Sequence, residues 1–232
     1  DTLTPRGADA VRHPFILAML AGPGLAKADV GQQAAMDALR KLATRQDLSR
    51  FPEKILKALE DSPSDSAFLL VAKAKPAGAS TVVEKLALEP KWKNAESVKI
   101  ARAALGVQSI EDEYLVELNQ AEGAMDGKTM AHVMGTLGLI GTHRSLVAVA
   151  ERLRSPVTIL VPGSSERSVR ISVLEALLYN YPDEPVLYPN NVNSDADYES
   201  AERFCESTLG VKYSKPRPPY MKYRAFPIPA PR

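Results

Sequence analysis

The stretch Ser168 to Leu187, S-V-R-I-S-V-L-E-A-L-L-Y-N-Y-P-D-E-P-V-L, constrains this chain more than any other. Val169, Val173, Leu174, Leu177 and Leu178 recur at helical spacing, and Pro182, Pro185 and Pro189 bar a regular continuation. Two weaker echoes lie upstream. If Leu39, Leu70, Leu105, Leu137 and Leu177 occupy one equivalent position, their separations are 31, 35, 32 and 40 residues. A helix pair needs about that length, which is the period of stacked helical repeats.

The remaining helix signals agree. Asp29 with Gln32 makes a capping-box pattern ahead of Ala35, Leu39 and Leu42. Pro52 suits a first helical turn followed by Ile55, Leu56 and Leu59. The apolar run Ala67 to Ala72 reads as a buried helix, and Val82, Val83, Leu86 and Ala87 form the next stripe. Asn94 is placed to cap a helix carrying Val98, Ala101 and Leu105, with Gly106 as its stop. Ser109 and Asp112 open another, which ends near Gly123. Met130, Val133, Met134 and Leu137 share one face, Gly141-Thr142 turns the chain, and Leu146, Val149, Ala150 and Leu153 line the next helix. A final helix runs from about Tyr198 to Leu209, capped by Gly210. No stretch sustains period-two alternation, so no substantial sheet is expected. Aromatic residues are only 6% of the chain, which favours close helix packing over a β-sandwich.

The segment Met130 to Leu153, M-A-H-V-M-G-T-L-G-L-I-G-T-H-R-S-L-V-A-V-A-E-R-L, resembles a HEAT-type repeat of the short bacterial kind. Small residues lie on the first helix, Leu-Gly comes near its end, and a short turn leads to an apolar second helix. Ser168 to Leu187 resembles the same unit with a Val-Arg opening, and Ser97 to Gly106 matches more weakly. The resemblance implies an all-α, right-handed α-α superhelix of about five HEAT-like helix pairs. Residues 1–210 form this solenoid, and 211–232 form an extended, proline-rich tail. Catalytic members of the wider group can be tested by residue. Hydroxylases on this scaffold bind iron through repeated His-Glu pairs, but here the three histidines precede Pro14, Val133 and Arg144. No residue set points to the bilin lyases or to the alkyl-base DNA glycosylases.

The chemistry-bearing residues read mostly as structure. His132 and His143 are eleven residues apart, without a carboxylate or thiol at ligand spacing, so no metal or other cofactor is expected. Ser164-Ser165 reads as a cap for a helix starting at 166, since no nucleophile-elbow or phosphate-loop pattern accompanies it. Cys205 sits among Glu202 and Glu206, which disfavour a thiolate and point to a structural or surface thiol. A single cysteine excludes an internal disulfide and leaves the compartment open between cytoplasm and export. Arg6, Arg12 and His13 before Phe15 to Leu20, with Ala26-Lys27-Ala28 beyond, only weakly resemble a signal peptide. No apolar run reaches membrane-spanning length.

Two basic groups are candidates for binding. Arg144, Arg152, Arg154, Arg167 and Arg170 gather in one inter-repeat region, either as an anion-binding ridge or as a face of internal ion pairs. The tail has six basic residues and no acidic ones, with Tyr213, Arg217, Tyr220, Lys222, Tyr223 and Arg224 interleaving cations and rings. Residues 183–206 hold seven acidic residues and one basic one, a net of −6 that matches the tail's +6. The tail is therefore expected to fold back as a cap over the exposed end of the solenoid, with a partner-binding arm as the alternative. With a net charge of +1, no global field draws the chain to nucleic acid. The expected function is a non-catalytic protein-protein interaction scaffold. The alternatives are nucleic-acid or anionic-partner binding through the arginines and tail, and an enzyme with a pocket on the concave face.

Overall fold

The computed structural model describes residues 35–36, 38–40, 43–161, 165–192, 194–219 and 223–225. The chain is all-α in its main elements, with one small sheet. The helices are α1 (Arg45–Leu48), α2 (Pro52–Asp61), α3 (Asp65–Ala74), α4 (Ala79–Ala87), α5 (Glu96–Ala104), α6 (Gln108–Gly123), α7 (Gly127–Ile140), α8 (His143–Glu151), α9 (Arg170–Leu178) and α10 (Asp195–Leu209). The strands are β1 (Thr158–Val161), β2 (Ser165–Ser168) and β3 (Tyr223–Ala225). Two compact units share the chain. The first takes residues up to Asp112 with Leu139–Thr142 and Tyr179–Pro185; the second takes Glu113–Gly138, His143–Leu178 and the residues from Val186 onward.

The first unit is built around α3. Its side chains at 67, 68, 70, 71 and 72 are all buried, so this helix is apolar nearly all round. Ser64 caps it by accepting from the Ala67 N–H. Alpha2 starts with Pro52 in its first turn and turns Ile55, Ala58 and Leu59 inward. Alpha5 packs on α3, where the Ser97 hydroxyl donates to Asp65. The Phe68 and Trp92 rings meet edge to face at 5.0 Å. Polar contacts tie the two later segments into this unit. Arg45 donates to the Gly141 carbonyl and, at 3.0 Å, to Asn180, while the Thr142 hydroxyl donates to Glu111. Lys73, fully buried, donates to the Arg40 carbonyl at 2.7 Å, with its ammonium 4.3 Å from the Tyr179 ring centre.

In the second unit, Met130, Val133, Met134 and Leu137 of α7 are fully buried, as are Val149, Ala150 and Leu153. Gly138 lets α7 approach α9. A Cβ there would lie 2.8 Å from the Ala176 carbonyl oxygen. Alpha8 packs against both α9 and α10. Ser194 caps α10, and Gly210 ends it at φ +68°, a left-handed conformation that a side chain would strain. The sheet is antiparallel, in the order β1-β2-β3, with Ile159 opposite Arg167 and Arg167 opposite Tyr223.

The sequence expectations hold for most elements and need correction at several points. Leu39, Leu70, Leu137 and Leu177 are core residues, but Leu105 is the C-cap of α5 and only half-buried. Ala95, not Asn94, stands at the N-cap of α5 and makes no side-chain cap bond. The helix expected from 166 is strand β2 instead, and α9 begins at Arg170. T-I-L-V at 158–161 is rich in β-branched residues and gives β2 a partner, which short-range helix patterning did not weigh. Asp29, Gln32 and Leu42, and the segment compared with a signal peptide, lie outside the described residues.

Candidate functional site

The arginines of the second unit are distributed among separate partners. Arg152, 7% exposed, donates to the Ala148 carbonyl and Asn119, and pairs with Glu122 at 3.3 Å and Glu151 at 3.1 Å. Arg154 pairs with Glu202 at 2.9 Å, donates to the Lys215 carbonyl, and stacks 4.6 Å from the Tyr213 ring centre. Arg167 pairs with Glu175 at 2.6 Å. Arg144 is exposed on α8. Arg170 is 1% exposed; its guanidinium lies 3.4 Å from the Tyr198 ring centre and donates to the Pro218 carbonyl at 3.1 Å. The Val-Arg opening therefore places its arginine against a ring and a carbonyl. Burial pulls that guanidinium below its ordinary pKa, with Tyr198, Glu202 and Asp195 acting the other way.

The tail residues 211–219 run back over this unit. Val211 is buried, and the Tyr213 hydroxyl donates to the Ala150 carbonyl at 3.2 Å. Lys215 pairs with Glu122 at 2.9 Å, and Arg217 with Glu202 at 2.8 Å. Glu202 is the centre of the arrangement. It is 2% exposed and accepts from both Arg154 and Arg217. Burial alone would raise its pKa, but the hydrogen bonds from Arg217 and Arg154 outweigh it and hold the carboxyl below its usual range. Cys205 is fully buried beside Tyr213. Burial pushes its thiol up to about 12, with Glu202 and Glu206 adding to the effect, so it is a structural thiol. Tyr220 and Lys222 lie outside the described residues; Tyr223 and Arg224 belong to β3 by their backbone.

These contacts frame a cleft of about 280 Å³, walled by the ends of α6 and α8 and by residues 212–215. Asn119, Glu122, Glu151, Arg152, Arg154, Lys212, Tyr213, Ser214 and Lys215 line it. Arg152, Arg154 and Tyr213 were candidate residues from sequence; Asn119, Glu122, Lys212 and Ser214 were not. The only sequence signal for the carboxylate side was the charge match between residues 183–206 and the tail, which the Arg217–Glu202 pair realises. His132 and His143 are both exposed, and no group of three metal-ligating side chains occurs among the described residues. None of the described helices is long and apolar enough to cross a membrane.

A second feature lies at the hairpin. The Val169 N–H donates to the Val157 carbonyl, so in this register the backbone groups of Thr158 and Leu160 face away from β2. Gly127 covers Thr158, whose carbonyl a Cβ at that glycine would meet at 2.0 Å. Leu160 remains 70% exposed, and Met125, two residues before Gly127, is 58% exposed. No family model matches the chain, and comparisons with curated proteins and with solved structures find no match.

Proposed function

We propose that this chain is a non-catalytic protein-interaction module, a short right-handed solenoid of HEAT-like helix pairs over residues 1–210 with residues 211–232 as its tail. The outer edge of β1 carries the reading. Among the described residues, an apolar side chain and an unpaired backbone edge occur together at Leu160, and Met125, two residues before the Gly127 that meets Thr158, is also exposed. Exposed strand edges pair readily with other chains, and proteins usually blunt them with charge or proline. T-I-L-V has neither. An extended partner segment adding to this edge would gain backbone hydrogen bonds from Leu160 and apolar contact with its side chain. The internal pairing of Arg152, Arg154 and Arg167 supports this reading over nucleic-acid binding, because it breaks the row of cations that a continuous phosphate backbone would need.

Crosslinking with mass spectrometry in extracts of the native source tests it. The wild-type chain and a Leu88→Lys control should capture the same protein through residues near 160, while Leu160→Lys should lose it. Leu88 is 82% exposed on the first unit, so the control changes a leucine elsewhere that is at least as exposed. Equal capture by both variants, or no capture by any, refutes the reading.

A further inference from the structure

We infer that the cleft between the ends of α6 and α8 and residues 212–215 binds a phosphate monoester group. This site is separate from the β1 edge and stands or falls without it. Four cations and two carboxylates line the cleft, and Glu202 behind it matches Arg154, which leaves one positive charge in excess, at Lys212. Both carboxylates are already engaged, Glu151 by Arg152 and Glu122 by Arg152 and Lys215. They therefore position the cations more than they repel an anion. Arg152 forms the floor, its side chain 9% exposed and braced by Asn119 and the Ala148 carbonyl. At the mouth, Lys212 and Ser214 are exposed and make no hydrogen bond or ion pair with any described residue. Arg154 is fixed by Glu202, the Lys215 carbonyl and the Tyr213 ring. All three of its nitrogens are already engaged, so it stands as a fixed positive wall of the cleft and leaves direct contact to Lys212 and Ser214.

The unfilled demand is thus for a small anionic group with several acceptor oxygens. A phosphate monoester carries roughly −1.5 to −2 charges near neutral pH and three acceptor oxygens. The cleft's 280 Å³ falls just below the ~300–1,000 Å³ typical of ligand pockets. It suits a phosphate and the first few atoms of its carrier. The carrier is either a small metabolite ester or a phosphorylated side chain on a peptide. Both present the same chemistry to Lys212 and Ser214.

Calorimetric titration of the full chain with glycerol phosphate, with a phosphoserine peptide, and with the same peptide unphosphorylated separates these cases. Succinate serves as the dianion control. Both phosphate probes should bind saturably at one site, and Lys212→Ala should weaken them about tenfold, the worth of one charge-assisted hydrogen bond. Ser214→Ala should weaken them less, and raised salt should weaken both. Lys212 and Ser214 are exposed, so these variants keep the fold, as circular dichroism will verify. Binding of the phosphopeptide about tenfold tighter than glycerol phosphate assigns the carrier to a phosphoprotein, and equal binding assigns it to a small ester. The inference is overturned by no saturable binding of either phosphate, by binding that Lys212→Ala and Ser214→Ala leave unchanged, or by succinate binding as tightly.

Discussion

Glu202→Gln is the sharpest perturbation of the second unit. The carboxylate receives four N–H contacts between 2.8 and 3.3 Å, two from Arg154 and two from Arg217. Glutamine keeps the size but removes the charge and places a donor amide against two guanidiniums. Breaking a buried ion pair by removing one partner costs ~3–5 kcal/mol. Here the Arg154 and Arg217 side chains are 20% and 27% exposed, so water recovers part of their lost solvation. We expect a loss of about 2–3 kcal/mol. At roughly 2–4 °C per kcal/mol for a chain of this size, the melting temperature should fall by about 5–10 °C. Arg217→Ala should cost less, about 1–2 kcal/mol, because Glu202 keeps Arg154. Thermal and urea unfolding followed by circular dichroism give the magnitude, and hydrogen exchange across 211–219 shows whether the tail is released.

The pH dependence gives an independent reading. Glu202 has a folded pKa held below its ordinary value of 4.5. Its stabilisation is therefore complete above that value and is lost as the pH falls through the lower folded pKa. Glutamine does not titrate, so the gap between wild type and Glu202→Gln should narrow on acidification below about pH 4.5. A cost under about 0.5 kcal/mol at pH 7, or unchanged exchange in the tail, refutes the claim that this carboxylate anchors the strap.

Three further outcomes follow from the packing. Leu137→Ala and Leu177→Ala should each cost roughly 2–5 kcal/mol in urea unfolding, whereas Leu105→Ala, at a half-buried helix end, should cost about 1 kcal/mol. Gly138→Ala should destabilise by about 1–3 kcal/mol, because the new methyl meets Ala176 backbone that cannot swing aside. Lys75 caps α3 at φ +50°, and burial followed by Arg45 pulls its amine down to about 8, with Glu111 opposing. Lys75→Gly should therefore raise the melting temperature at pH 7, relieving ~1–2 kcal/mol of left-handed strain along with the buried charge. Since the unfolded amine titrates near 10.5, the charge penalty is full below about 8, and the advantage should shrink as pH rises from 8 towards 10.5.

The helices were legible because their signals are local. Pro52 at a first turn, the continuous apolar run of α3, the Met130 to Leu137 stripe and Gly210 as a stop each act within a few residues. The errors fall where distant residues decide. Nothing near Ser165 distinguishes a helix cap from a strand; pairing with Thr158–Val161 on one side and Tyr223–Ala225 on the other does. Leu105 fits the repeat spacing, yet it falls at the last turn of α5, where the chain leaves the helical face before the side chain reaches the core. Even spacing therefore identifies repeat-like elements better than it fixes their register.

The candidate cleft was less legible for a related reason. Composition revealed that an acidic stretch and a basic tail should attract, and it located both. It could not reveal the stoichiometry. Glu202 takes two arginines, one from each side of the chain's return, while Glu122 takes Arg152 and Lys215. With Glu151 on Arg152 and Glu199 on Arg217, four carboxylates meet four cations, and the surplus charge is Lys212, which the tail brings to the cleft. The excess positive charge that makes the cleft a binding candidate is thus a product of tail closure. Releasing the tail with Glu202→Gln should weaken phosphate binding as well as stability, whereas Lys212→Ala should weaken binding alone. Calorimetry on the two variants at matched folded fraction separates these effects, and equal phosphate affinity in Glu202→Gln and wild type would show that the cleft forms without the anchor.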